Sequence, residues 1–406
     1  MKQIIKEYLL SHAEGVFRVP SGDLNFPYLD PGAGYSGELW DWDSYWAAHA
    51  LLSVNDSQSK HLSERAAEYA KGSVLNFLYA QEEDGYTPVM VSSGGLFEGY
   101  FHNEYRKGTP LNQHKPFLCQ AILNVSAFTG DYGWFDLEKA LNYLCYYETH
   151  QFDARSGLFI WQDDIMVGID NNPTVFFRPP RSCADIFLNC FLYLEYKALA
   201  SILTALHDER AAAAEERANA LKAAINAEMW DERDGIYYSQ DVGFCRTERK
   251  VKDVCFHEGF APHWKTLPLK IRFWGCFLPL YAGICNAERA ERLCAHLKEK
   301  DVFAAYGIRT LARNEKMYSL EKSGNPSNWL GAIWTIANYC IYKGLLRYGK
   351  NRLAERLRRA SVALAEKSLR EHGDLFESYN PDTGEPFLHA GFLSWNLLLL
   401  EMEKEQ

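Results

Sequence analysis

Closely spaced cysteine pairs are missing from this chain. Its ten cysteines (Cys119, Cys145, Cys183, Cys190, Cys245, Cys255, Cys276, Cys285, Cys294, Cys340) stand singly, with no C-x-x-C among them. A zinc ribbon and a thioredoxin-type redox site are therefore excluded. Most of these thiols fall in apolar helical patterns, where cysteine behaves as a small hydrophobe. A leader is missing too: Met1-Lys-Gln-Ile-Ile-Lys-Glu-Tyr-Leu-Leu10 is too short and too charged for a secretory signal. These two absences predict a reduced, cytoplasmic protein. No apolar run approaches the ~20 residues of a membrane span, which argues against a membrane protein. No lysine- or arginine-rich stripe occurs, and the net charge is −10, so nucleic acid is an unsuitable partner. No Pro/Gly/Ser-rich linker interrupts the sequence, and residues 1–406 read as one domain.

Aromatic residues and helical periodicity are abundant. The 11 Trp and 24 Tyr suit a ring-lined cleft, although large cores use aromatics as well. Apolar spacing predicts helices near 2–12, 41–54, 62–81, 114–128, 133–151, 182–205, 208–228, 269–282, 286–299, 327–347, 351–371 and 391–404. Runs such as Arg210-Ala-Ala-Ala-Ala-Glu-Glu-Arg217 are strong helix formers. Short and long connections alternate between these helices, and the long ones fall at about 82–113, 152–181, 229–268, 300–326 and 372–390. Long loops in compact domains are usually functional. The alternation predicts helical hairpins closed into an all-α ring of inner and outer helices, an (α/α)6 barrel. Its long loops would gather at one mouth. No internal sequence repeat accompanies the repeated architecture.

One stretch stands out, Tyr35-Ser-Gly-Glu-Leu-Trp-Asp-Trp-Asp-Ser-Tyr-Trp46. Aromatic faces cover the C–H faces of a pyranose, and carboxylates accept its hydroxyls. Gln113-His-Lys-Pro, Arg178-Pro-Pro-Arg181, Asn325-Pro-Ser-Asn-Trp329 and Ser394-Trp395 fall at or near other inner-helix starts, so all should meet at one mouth. Gly32-Ala-Gly-Tyr-Ser-Gly37 spells G-x-G-x-x-G, but the prolines of Phe26-Pro-Tyr-Leu-Asp-Pro31 forbid the strand that a dinucleotide loop requires. His257-Glu258 with His263 lacks zincin spacing and contains Pro262, so no metal is expected. No G-x-S-x-G nucleophile elbow occurs. Carboxylate chemistry remains, with Asp170 in one long loop and Glu377 among aromatics in another. Glycoside hydrolysis uses one protonated and one ionised carboxyl, and ring packing against polar neighbours separates the two states. Solvated surface acids are the bland alternative.

Several segments also resemble a known family. Glu38-Leu-Trp-Asp-Trp-Asp-Ser-Tyr-Trp46 is similar to the E-L-Y-Y-W-D-S-Y segment of trehalases and the W-x-W-D of glycoside hydrolase family 63. Gly168-Ile-Asp-Asn-Asn-Pro173, Asn328-Trp-Leu-Gly-Ala-Ile-Trp334 and Glu377-Ser-Tyr-Asn-Pro-Asp-Thr-Gly-Glu385 resemble motifs of the compact bacterial mannosylglycerate and glucosylglycerate hydrolases. Asp185, Asn189 and Glu195 fit the D-x-x-x-N-x-x-L-x-x-E pattern of an inner helix. The matches run in order from about 35 to 395.

The resemblance implies an (α/α)6 barrel and an inverting α-glycosidase without cofactor or metal. Asp170 would be the general acid and Glu377 the base that activates water. Tyr35, Trp40, Trp42 and Asp43 would hold the glycone, and Gln113, Trp329 and Trp395 would line the same pocket. The expected partner is a small saccharide or glycosyl-acid; a homo-oligomer is left open. Departures cluster beside the acid: Ile165-Met-Val-Gly168 replaces W-E-S-G, and Asn172-Pro-Thr-Val-Phe-Phe-Arg178 replaces S-P-R-W. Arg178 and Arg181 fit either an anionic aglycone or salt bridges at a helix entry. An epimerase or phosphorylase on the same toroid, or a non-catalytic sugar-binding protein, are the competing classes.

Overall fold

A computed structural model describes residues 3–54, 60–92, 94–95, 97–244, 249–259, 261–321 and 327–402. Six inner segments form the ring: Asp41–Leu52, Leu118–Thr129, Ile186–Ala205, the pair Trp274–Phe277 and Leu278–Ala282, Thr335–Arg347, and the pair Ser394–Leu398 and Leu399–Met402. Each packs on the next, and the last returns to the first, so the barrel closes. Outer helices Lys60–Tyr79, Leu137–His150, Ala211–Ala224, Ala287–His296 and Asn351–His372 alternate with them, and Gln3–His12 docks on Asn351–His372. The chain is an (α/α)6 barrel.

Composition sorts the two rings. Inner helices touch neighbours all round and carry no polar stripe; in Ile186–Ala205, Ile186 through Tyr193 are buried without a break. Outer helices keep one apolar face, and in Ala287–His296 only Ala290, Leu293 and Cys294 are buried. Ile186–Ala205 is long and apolar enough to cross a membrane, contrary to the sequence reading, but 83% of its most apolar window is buried inside the barrel. The nine described cysteines are free, and seven are buried; Cys245 lies outside the described residues.

Several helices start later than expected: those expected at 114, 133 and 182 begin at Leu118, Leu137 and Ile186, and three more differ in kind or by more. The helix expected at 327 begins at Thr335: Gly331 takes φ 133°, Ile333 pairs as an extended residue with Tyr379, and Trp334 is the extended N-cap. The helices expected at 269 and 391 begin as 3-10 turns at Trp274 and Ser394. An extra helix, Tyr100–Arg106, lies in the first long connection.

The long connections carry short antiparallel hairpins. Phe152–Asp153 pairs with Leu158–Phe159, and Trp230–Asp231 with Ile236–Tyr237, in the same register. Both read aromatic-Asp, three residues, Gly, apolar-aromatic, a small internal repeat that helical periodicity hides. Inner-helix asparagines staple such hairpins: Asn189 bonds both the N–H and the carbonyl of Phe159 at 2.8 Å, and Asn338 accepts from Ile308 N at 2.8 Å.

Candidate active site

The mouth of the ring holds a cavity of about 280 Å³. Its floor is a cluster of rings. Trp329 stacks on Trp334 with centroids 3.9 Å apart, and Trp42 stands 5.8 Å from Trp329 and 5.6 Å from Trp395. The Nε1–H of Trp329 is buried with no hydrogen-bond partner among the described residues.

The first wall comes from 35–43. Tyr35 closes the 3-10 turn Ala33–Tyr35. Trp40 ends the strand Glu38–Trp40, which pairs with Met90–Ser92, and its Nε1 donates to Glu38 at 2.8 Å. Trp42 and Asp43 occupy the first turn of the helix that follows. Below them lies Lys115, whose Nζ is 2.7 Å from Asp41 Oδ1 and 5.8 Å from the Trp42 ring centre.

Asp170 projects half-buried from a loop with unusual backbone. Met166, Gly168 and Asn171 take φ of 59°, 86° and 57°. The neighbours of Asp170 fix this path. Asn171 Nδ2 donates to Asn328 Oδ1 at 3.3 Å, and Asn172 Nδ2 donates to Asp185 Oδ2 at 2.5 Å. Asp185 is itself the N-cap of Ile186–Ala205, accepting from Phe187 N at 2.8 Å. Asp185 of the D-x-x-x-N pattern thus anchors the loop that carries Asp170, while Asn189 holds Phe159. Glu195 instead accepts from Cys119 and Gln120 and joins two inner helices.

Glu377 enters from another loop, one residue before the hairpin Ser378–Tyr379 with Pro386–Leu388. It is 4% exposed. Tyr35 OH donates to its Oε2 at 3.3 Å, and His389 Nδ1 lies 2.5 Å from the same oxygen. Trp395 Nε1 donates to its main-chain carbonyl at 3.3 Å. Burial, then the charges of Glu377, Asp43 and Asp170, push the Tyr35 phenol well above its ordinary range. Burial likewise pushes the Asp43 carboxyl up to about 8; the charges of Glu377 and Asp41 add to this, while Ser394 and Lys115 oppose it.

Eight of the ten expected residues therefore meet in one cavity: Tyr35, Trp40, Trp42, Asp43, Asp170, Trp329, Glu377 and Trp395. Two do not. Gln113 is fully buried behind the wall, where it accepts from Thr87 N and donates to the Tyr143 carbonyl. Arg178 pairs with Asp241, and Arg181 donates to Gln162 and the His150 carbonyl, and neither lines this cavity. Lys115, His389, Phe97 and Phe392 also line the cavity without having been expected. Lys115 is the lysine of the Gln113-His-Lys-Pro motif, the one available signal for it. The one metal-compatible cluster among the described residues, Glu371, His372 and Glu385, is exposed and outside this cavity.

The profile of the mannosylglycerate hydrolase MGH1-like glycoside hydrolase domain matches residues 35–395. Mannosylglycerate hydrolase MGH1 of Selaginella moellendorffii is 33% identical over 119 residues. That match spans 29% of this chain and about a fifth of the plant protein, 22% of its length. Among solved structures, the GH63 mannosylglycerate hydrolase of Thermus thermophilus in complex with glucose superposes with a TM-score of 0.69 at 19% identity, covering 97% of this chain and 99% of that one. Neutral trehalase Nth1 of Saccharomyces cerevisiae gives 0.61 at 16% identity, covering 100% and 81%. At these identities the two structures speak for the fold.

Proposed function

The chain belongs to the mannosylglycerate hydrolase MGH1-like glycoside hydrolase family, and from that premise we propose that it is an inverting, exo-acting α-glycosidase of short α-glucosides or α-mannosides. One observation carries this reading: Asp170 and Glu377 line the same ring-lined cavity from two different loops. The glycone packs on Trp42, Trp329 and Trp395, with Asp43 on its hydroxyls. Asp170 gives its proton to the glycosidic oxygen as the C–O bond breaks. A water on the other face attacks the anomeric carbon, and Glu377 takes its proton. Tyr35 and His389 both contact Oε2 of Glu377, which leaves Oε1 for that water. The stacked Trp329 and Trp334 close the floor, which suits removal of a terminal sugar rather than passage of a chain.

The T. thermophilus relative takes glucose, and the plant relatives are mannosylglycerate hydrolases. The proposed substrates follow from these: a glucoside or mannoside with a small aglycone, including a glycosyl-acid. Trehalose, kojibiose, nigerose, mannosylglycerate and glucosylglycerate form the panel. Proton NMR of the first-formed sugar is the test. The β-anomer released from an α-glycoside supports inversion, and an α-anomer excludes it. Asp170→Asn and Glu377→Gln should each lower turnover by at least about a hundredfold while sugar binding persists. A fully active Asp170→Asn enzyme would overturn the assignment.

A further inference from the structure

The carboxylate of Glu377 is gripped on one side. His389 Nδ1 is 2.5 Å from Oε2, Tyr35 OH is 3.3 Å from that oxygen, and His389 Nδ1 and Tyr35 OH are 3.3 Å apart. The two rings meet edge-on with centroids 4.9 Å apart. An ionised carboxylate only accepts, so the proton of this contact sits on Nδ1. His389 follows the strand Pro386–Leu388 with φ 41°, in the left-handed region that a non-glycine residue rarely adopts. Such backbone persists where its surroundings over-determine it, and these positions cluster at functional sites. Here it turns the imidazole back over the hairpin onto Glu377, twelve residues earlier in sequence.

The electrostatic setting needs such a donor. Besides Tyr35 and Glu377, the charged groups lining the cavity with His389 are Asp43, Asp170 and Lys115. Lys115 is held by Asp41. Three carboxyl groups face this one cavity, and burial pushes that of Asp43 up to about 8. A base that has already taken a proton cannot activate water.

We infer that His389 is a positioning residue for Glu377, its Nδ1–H holding Oε2 so that the carboxylate stays ionised with Oε1 turned toward the attacking water. This rests on the water-activating role given to Glu377 above. Two amide variants separate the claim from mere packing. Asn at 389 puts an amide N–H where Nδ1 stands, whereas Gln puts it near the Nε2 position. Carbon-13 NMR titration of the Glu377 carboxyl, assigned with Glu377→Gln, reads the effect without any substrate. In His389→Gln the Glu377 midpoint should rise by about one pH unit, and in His389→Asn it should stay at the wild-type value. On the best substrate of the panel, His389→Gln should lower kcat about ten- to a hundredfold with KM within about twofold, its acidic limb moving up with the carboxyl. His389→Asn should restore most of the rate. An unchanged midpoint in His389→Gln, or equal shifts in the two variants, would overturn the inference. An active Glu377→Gln enzyme would instead overturn the role of Glu377 and leave the titration to report on His389 alone.

Discussion

Lys115 Nζ lies 2.7 Å from Asp41 Oδ1, with side chains 2% and 0% exposed. Asp41 also accepts from the main-chain N–H groups of Lys115 and Trp42. The inner wall of the cavity therefore stands on a dehydrated ion pair. A buried pair gains little over an apolar pair, but removing one partner strands a charge. Lys115→Met should destabilise the protein by about 3–5 kcal/mol in denaturant unfolding. Adding Asp41→Asn should return part of that loss. A double variant that is destabilised by the sum of the two single changes would refute the coupling.

Asp43 makes stability depend on pH. Its carboxyl is raised to about 8 in the folded state, chiefly by burial, against roughly 3.9 when unfolded. Between these values the folded chain binds the extra proton, so stability falls as pH rises. The contribution is fully present below about pH 4 and is lost through pH 8. Asp30 and Glu195, raised by burial to about 6 and about 7, act in the same direction. They cancel when wild type is compared with Asp43→Asn. Thermal melts from pH 4 to 8.5 should show the variant gaining on wild type as pH rises, and a constant difference would speak against this carboxyl.

Gly168 holds Asp170 in register from two residues away. It takes φ 86°, and an added Cβ would lie 2.8 Å from Lys115 Cδ and 3.6 Å from Trp42. Lys115 cannot swing aside without leaving Asp41. Gly168→Ala should therefore displace the loop and lower kcat about tenfold or more, with an unchanged far-ultraviolet circular dichroism spectrum. Wild-type turnover in this variant would mean that the loop adapts freely.

Arg178 should be dispensable for an acidic aglycone because it is committed to Asp241. Arg178→Gln should cost about 1 kcal/mol of stability at most and leave KM for mannosylglycerate within about twofold. A tenfold rise in that KM, with the KM for a neutral disaccharide unchanged, would return Arg178 to the aglycone side.

The barrel was legible because most of its helices run ten residues or more and their connections alternate in length. Trp40, Trp42 and Asp43 were legible because they crowd one helix start, and Asp170 and Glu377 because their neighbours repeat recognisable motifs. Direction was not legible. Gln113 and Arg178 have the right chemistry at the right end of the ring, yet one faces Tyr143 and the other Asp241. Pairing across the fold was hidden as well: Lys115 finds Asp41 74 residues back, and His389 reaches Glu377 only through the turn of a hairpin. The late start of the helix at Thr335 goes with the pairing of Ile333 to Tyr379, a long-range contact that no apolar spacing records.

Ring closure also sets an order of assembly. Ser394 Oγ bonds the carbonyl of Asp43 across 351 residues, and Tyr35 bonds Glu377 across 342. Each helical hairpin can form from local contacts, but the cavity draws its walls from distant parts of the chain. A growing polypeptide that has folded through residue 340 still lacks Glu377, His389 and Trp395. Long-range contacts of this kind form slowly. In refolding, recovery of sugar binding should therefore lag behind helix content, and the lag measures how long the toroid stays open.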